Sequence, residues 1–276
     1  MKILLTNDDG INSEGLQKLA EFLQKKNKYK VFTVAPDKNR SGISHGVSIF
    51  SGPVSLNSID EYTWSCSGFP VDCILTGLNI ILPEKPDIVL SGINRGANLG
   101  TDIIFSGTAA AARQASLKGI PAIALSLVGY GNLNWDMAVS WSVEHLEKLL
   151  SYWREGSFVN VNIPNSLEGP NGYKLAWPAV KHYKDSISIF DAPQGSHSPD
   201  GDHFCFIIPK GESVVNEAGS DCDVVSRNFV SVSPIVNQPV ILRELCPTAP
   251  DYAAVDSRGT TQGIQGTAMG NPDMKG

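Results

Sequence analysis

The chain predicts a doubly wound α/β fold with a mostly parallel sheet, extended at its C-terminal side by β-rich segments. Two observations carry this. Short apolar strand-like runs alternate with helical patterns through the first 164 residues, as parallel βαβ units require. Two adjacent carboxylates, Asp8 and Asp9, fall where the first strand hands over to the first helix. In an open parallel sheet such turns line the ligand crevice.

The elements follow in order. KILLT is the first strand, and Leu16, Leu19, Ala20 and Leu23 fall at helical spacing behind it. KVFTVAP is the second strand, ended by Pro36, and TWSCSG is a weaker one. FPVDCILTGLNIIL reads as one helix opening at Pro70, a residue suited to a first turn. DIVLSGIN is the strongest internal strand, and SGTAAAARQASLKG is a small-residue helix closing at Gly119. IPAIALSL, the long helix NWDMAVSWSVEHLEKLLSYW and the strand FVNVNIP complete a core over 1–164. Residues 165–246 read as a β-rich extension of the same domain, with KLAWPAV, HFCFIIP and FVSVSPI as strands and a short helix near Asp221–Val225. Residues 247–276, rich in Ala, Gly, Thr, Pro and Asp, read as a disordered tail.

Composition narrows the function. Of 276 residues, 42% are hydrophobic and 18% charged, and the net charge is -6. An acidic chain argues against a nucleic-acid duplex or anionic membrane as partner. No apolar run is long enough to span a bilayer, and MKILLTNDDG turns acidic too soon for a secretory leader. Five scattered cysteines with no C-x-x-C pair suit reduced thiols in a cytoplasmic protein. The five histidines show no metal-ligand spacing.

Four segments fall at strand ends on one edge of the sheet. The first is NDDG. A dinucleotide fold places an uncharged glycine loop there, whereas two carboxylates repel phosphate unless a cation sits between. Hard oxygens favour one Mg or Mn ion. The second, PDKNRSGISHG, offers Asn39, Arg40, Ser41, Ser44 and His45. The third, SGINRGANLG, places Asn94 to complete a metal site, and puts Arg95 and Asn98 in a loop able to wrap an anion. The fourth sets Ser106, Gly107 and Thr108 at the start of an alanine-rich helix, whose free N–H groups favour phosphate. Each segment alone also fits ordinary structure: an Asx turn, a Ser/Asn/Gly turn, a glycine loop, a helix cap. Together they describe a metal site beside an anion site, and metal-assisted phosphoryl transfer to water.

NDDG, APDKNRSG, SGINRGANLG and SGTAAAA, in this order, resemble the SurE family (survival protein E), as do SGFPVDCILTGLN, FVNVNIP and GSDCDVVSRNFVSVSPI. The resemblance spans about residues 1–236. It implies a Rossmann-like core and a divalent-metal-dependent phosphatase for nucleoside 5'- and 3'-monophosphates. It places the metal ligands on Asp8, Asp9, Ser41 and Asn94, and phosphate contacts on Asn98, Ser106, Gly107 and Thr108. Apart from the resemblance, Asp8 or Asp9 suits a general base and Arg40 or Arg95 suits added charge at the phosphate, while His45 suits either a phosphate contact or a structural role. The resemblance further implies a homodimer or homotetramer built through the C-terminal extension. A receiver-type signalling domain also carries an acidic pair after its first strand. It needs a phosphoacceptor Asp at the third strand, where this chain offers Asn94 or serines. A nucleotide-binding protein without turnover would keep the same pocket, so phosphate release separates the two.

Overall fold

The computed structural model describes residues 1–191, 203–215 and 217–239. Among these residues the chain forms eleven strands: β1 (Lys2–Thr6), β2 (Lys30–Pro36), β3 (Leu56–Ser58), β4 (Thr63–Cys66), β5 (Ile88–Arg95), β6 (Ala122–Val128), β7 (Ser157–Pro164), β8 (Tyr173–Leu175), β9 (Val180–Asp191), β10 (His203–Val215) and β11 (Val230–Val236). Nine pair into one sheet in the order β3-β4-β2-β1-β5-β6-β7-β11-β8, and β9 and β10 form a separate antiparallel pair. The main sheet is parallel from β4 to β7, while β3–β4 and β7–β11 are antiparallel.

The strand order explains where a ligand site belongs. From β1 the chain builds outward through β2 and β4, then returns to add β5 on the other side of β1. The sheet therefore reverses direction between β1 and β5, and the C-terminal ends of these strands flank a crevice. Asp8 and Asp9 follow β1, and Asn94 is the penultimate residue of β5.

Both faces of the sheet are covered, and alternation along β1 shows how. Ile3 and Leu5 pack with Leu16, Leu19 and Leu23 of α1 (Glu14–Gln24) and with Trp135, Ala138 and Val139 of α5 (Trp135–Glu144). Leu4 faces the other way. It packs with Cys73 and Ile74 of α2 (Pro70–Thr76) and with the alanines of α4 (Gly107–Leu117), which follows the short α3 (Asp102–Phe105). All five alanines of α4, Ala109 to Ala112 and Ala115, are fully buried. Their small side chains let the helix axis lie close to the sheet.

The structure refines several sequence expectations. FPVDCILTGLNIIL is not one α-helix: α2 ends at Thr76 and a π-helical turn covers Gly77–Ile81. The long helix is broken at His145, and α6 (Leu146–Leu150) follows α5. At the break His145 stacks on Trp141 with ring centroids 4.2 Å apart. KLAWPAV is not one strand: Lys174 and Leu175 end β8, Trp177 makes an isolated bridge to Ser220, and Val180 opens β9. β9 was not anticipated, although Ile187 and Ile189 alternate with serines in it. The short helix appears as α7 (Asp221–Ser226). The tail expected over 247–276 lies outside the described residues.

Within Met1–Gln238, one compact unit, the end of β5 shows why a glycine is required. Pairing with β6 shifts register between Ser91 and Asn94. Gly92 lies there at φ +134, and an added Cβ would sit 2.3 Å from the Leu125 carbonyl oxygen. The irregularity turns Asn94 at the strand end while Ile93 stays in the core.

Candidate functional site

Asp8 is the more buried of the two site carboxylates, at 3% exposure. The N-terminus of α4 points at it. The Thr108 hydroxyl donates to Asp8 Oδ1 at 2.5 Å, and the Thr108 amide donates to Oδ2 at 3.1 Å. Gly107 permits this approach, because an added Cβ would meet the Asp8 Cβ at 2.8 Å. Burial pushes the Asp8 carboxyl above the usual carboxylate range, and the Thr108 hydroxyl and amide pull it back. A helix N-terminus favours a negative group, yet a cation on the outer side would stabilise the charged form further.

Asp9 is tied to the neighbouring strand end: the Arg95 amide donates to its Oδ2 at 2.9 Å. Burial pushes its carboxyl up to about 6, the Arg95 amide opposes this, and the charge of Asp8 adds to the rise. Among the described residues no hydrogen bond reaches Asp9 Oδ1. Asn94 donates through its amide nitrogen to the Gly96 carbonyl at 3.1 Å, which leaves its side-chain oxygen without a donor. The 37–42 loop is brought in by the Arg40 amide, which donates to the Asp8 carbonyl at 2.7 Å. Ser41 follows directly, with its amide bonded to Asn39 Oδ1 and no hydrogen bond to its hydroxyl. The Asp8–Asp9 segment is thus tied to the end of β5 and to the 37–42 loop, and these segments carry two carboxylates, the Asn94 amide oxygen and the Ser41 hydroxyl, oxygen types that Mg and Mn prefer. Among the described residues no group of three or more His, Cys, Asp or Glu side chains is arranged to hold a metal. A site here therefore depends on the amide and hydroxyl donors.

The residues expected at phosphate are arranged less uniformly. Thr108 is fully buried, and both of its donors go to Asp8. Its position in this structure is behind the carboxylate. Ser106 caps α4, its hydroxyl oxygen accepting from the Ala109 amide at 3.0 Å, so its proton remains available to donate. Asn98 is held inside a polar cluster. Its amide nitrogen donates to Ser126 Oγ at 2.8 Å, and its backbone is gripped by Asn160 and Asn162. That nitrogen carries a second N–H, which among the described residues donates to nothing.

The accessory residues have other partners as well. Arg40 donates to the Ser67 carbonyl at 2.6 Å and lies over the Phe69 ring. Arg95 extends over the Trp135 ring. His45 pairs through Nε2 with Gln114 Oε1 at 3.0 Å, while its buried Nδ1 has no partner among the described residues. Burial lowers its pKa, the Gln114 contact opposes this, and the Arg113 charge adds to the fall.

Two contributions were not legible in the sequence. Asp221 of α7 accepts from the amides of Gly100 at 2.7 Å and Ala179 at 2.9 Å, and so ties the C-terminal segment to the loop after β5. Lys181 of β9 pairs with Asp102 at 2.8 Å and Glu212 at 3.0 Å. The separations in sequence, 121 residues for Gly100–Asp221, leave no local spacing to detect.

Comparison with known proteins places these features in a group. A family model described as Survival protein SurE matches residues 3–185. The 5'-nucleotidase SurE of Thermoanaerobacter sp. (strain X514) is 39% identical over 241 residues, covering 85% of this chain and 92% of that protein. The 5'-nucleotidase SurE of Prochlorococcus marinus subsp. pastoris is 35% identical over 246 residues, covering 85% and 90%. The crystal structure of SurE protein from Aquifex aeolicus superposes with a TM-score of 0.75 at 34% identity, covering 90% of this chain and 98% of that one.

The Asp9 shift gives a pH test. Its folded pKa of about 6 lies above the ordinary 3.8, so the fold holds this proton more tightly than the unfolded chain. The resulting stability is complete below the ordinary value and is lost as pH rises through about 6. In chelator, urea unfolding of the wild-type chain should show this loss, and Asp9→Asn should remove that component. Identical pH profiles for the two proteins contradict the assignment.

Proposed function

The chain belongs to the SurE family, and on that premise we propose that it is a 5'-nucleotidase, hydrolysing nucleoside monophosphates to nucleoside and phosphate. The observation that carries this reading is the meeting of Asp8, Asp9 and Asn94 at the sheet's reversal point, beside the start of α4.

In this reading Asp8, Asp9, Ser41 and Asn94 hold one divalent cation, Mg or Mn. When bound, the cation supplies Lewis-acid polarisation of the phosphoryl oxygens. The rest is done by the chain. Thr108 orients Asp8 by donating to both carboxylate oxygens. The Arg95 amide fixes Asp9 through Oδ2 and leaves Oδ1 open. Asp9 is therefore better placed than Asp8 to take a proton from the attacking water. Ser106 donates its hydroxyl proton to a phosphate oxygen, the Gly107 segment brings the helix start up to the site, and Asn98 contributes its side-chain amide. Arg40 and Arg95 add positive charge at the rim, while His45 supports the 37–48 loop through Gln114. The recognition centres on the phosphate, so the activity extends to nucleoside 3'-monophosphates.

The chain works as a homodimer or homotetramer. The β9–β10 pair exposes Ile187, Ile189 and Ile207 on one face and Phe190, Phe206 and Ile208 on the other. An isolated two-stranded hairpin is marginal in water, and exposed apolar surface of this kind marks an interface. No helix among the described residues is long and apolar enough to cross a membrane.

Two measurements test these assignments. Phosphate release from nucleoside 5'- and 3'-monophosphates should require Mn or Mg, stop with EDTA, and fall by at least about 100-fold in Asp8→Asn and Asp9→Asn. Release that persists in chelator, or in both variants, rejects the site. Light scattering behind gel filtration should give a dimer or tetramer that Ile207→Glu with Phe206→Glu shifts toward monomer; a wild-type monomer rejects the assembly.

A further inference from the structure

We propose that Phe105 is the stacking platform for the nucleobase of the substrate, held in place by Tyr183. This rests on the nucleotidase reading and adds a specificity residue to it.

Phe105 is a large aromatic residue left 49% exposed at the rim of the candidate site. It directly precedes Ser106, the cap of α4, and Gly107 presses on Asp8. Two Cα steps of about 3.8 Å each separate Phe105 from Gly107. That is the scale on which a ribose separates a 5'-phosphate from its base. Phe105 thus stands one residue before the α4 cap in the chain.

Its setting is built on both sides. The Tyr183 ring meets Phe105 edge-to-face, with centroids 5.6 Å apart and planes at 83°. Tyr183 is itself anchored, its hydroxyl donating to Asp102. The same Asp102 carboxylate takes Lys181 at 2.8 Å, and the Lys181 amide donates to Thr101 Oγ1 at 2.9 Å. From the opposite side the Ser44 amide donates to the Phe105 carbonyl at 2.9 Å, and the Ser44 hydroxyl donates to the Ile104 carbonyl at 2.7 Å. The backbone under the ring is therefore fixed by β9 and by the loop that carries Ser41.

The chemistry selects the occupant. An exposed aromatic side chain held rigid offers a π-face at little entropic cost. Every nucleobase has a matching face, and stacking tolerates differences in base. A ring that only completed the core would be buried, as Phe158 is. The site then combines a phosphate grip that ignores the base with a platform that accepts any base. The class of substrate is a nucleoside monophosphate with broad base tolerance, discriminated from a sugar phosphate.

The test compares a nucleoside 5'-monophosphate with ribose 5-phosphate, which has the same phosphoester and no base. Both kcat/KM and equilibrium Kd are measured for the full chain and for Phe105→Leu, Phe105→Ala and Phe105→Trp. The preference for the nucleotide should fall between about 5- and 150-fold in Phe105→Leu and Phe105→Ala, the range base–aromatic stacking carries, and persist in Phe105→Trp. Equal losses for both substrates, or no loss, overturn the platform. So does a changed oligomeric state with an unchanged preference, since Phe105 would then seal a subunit contact. A wild-type chain that binds the nucleotide preferentially without turnover, and loses that preference in Phe105→Leu, sinks the nucleotidase reading and keeps the platform.

Discussion

The structure depends on one buried contact, the Asp8 carboxylate set against the first turn of α4. A carboxylate at 3% exposure is costly unless donors meet it. Here the donors are a helix start, with its partial positive charge, and the Thr108 hydroxyl. The contact links the central strand of the sheet to the helix covering one face. It accounts for local sequence on both sides. Gly107 has no side chain because Asp8 occupies that space, and Ala109 to Ala112 are small because the helix lies against the sheet.

From this contact the rest of the site is assembled by backbone groups. The Arg95 amide orients Asp9, and the Arg40 amide reaches the Asp8 carbonyl. Neither bond uses an arginine side chain, so the charged groups remain at the rim. The C-terminal segments then brace the loop after β5. Asp221 accepts from Gly100, and Lys181 pairs with Asp102. The extension thus contributes to the site's surroundings as well as carrying the exposed hairpin. The energetic cost of two neighbouring carboxylates is offset by the Thr108 donors on Asp8 and the Arg95 amide on Asp9.

The sheet was readable because apolar runs and their spacing are local. So was the placement of Asp8 after β1 and of Asn94 at the end of β5, since the ends of neighbouring parallel strands share an edge. The partner of each side chain was not readable. Thr108 stands in a pattern that suits phosphate as well as it suits Asp8, and the choice depends on a contact across 100 residues. His45 similarly turns to Gln114, 69 residues away. The β9 strand escaped notice because both its faces carry apolar residues among polar ones, with no buried face to impose a single period. The π turn after Thr76 continues a pattern that reads as plain helix.

Equilibrium Mn binding to the wild-type chain, Thr108→Ser and Thr108→Val tests the central claim most directly. If Thr108 holds Asp8 in its ligating position, the wild type takes up one ion per chain. Thr108→Ser then keeps the affinity, and Thr108→Val weakens it by at least about tenfold, as loss of a group supporting a metal ligand does. Equal affinity in Thr108→Val and wild type, with both folded, would contradict the account, as would a wild-type chain that binds no Mn.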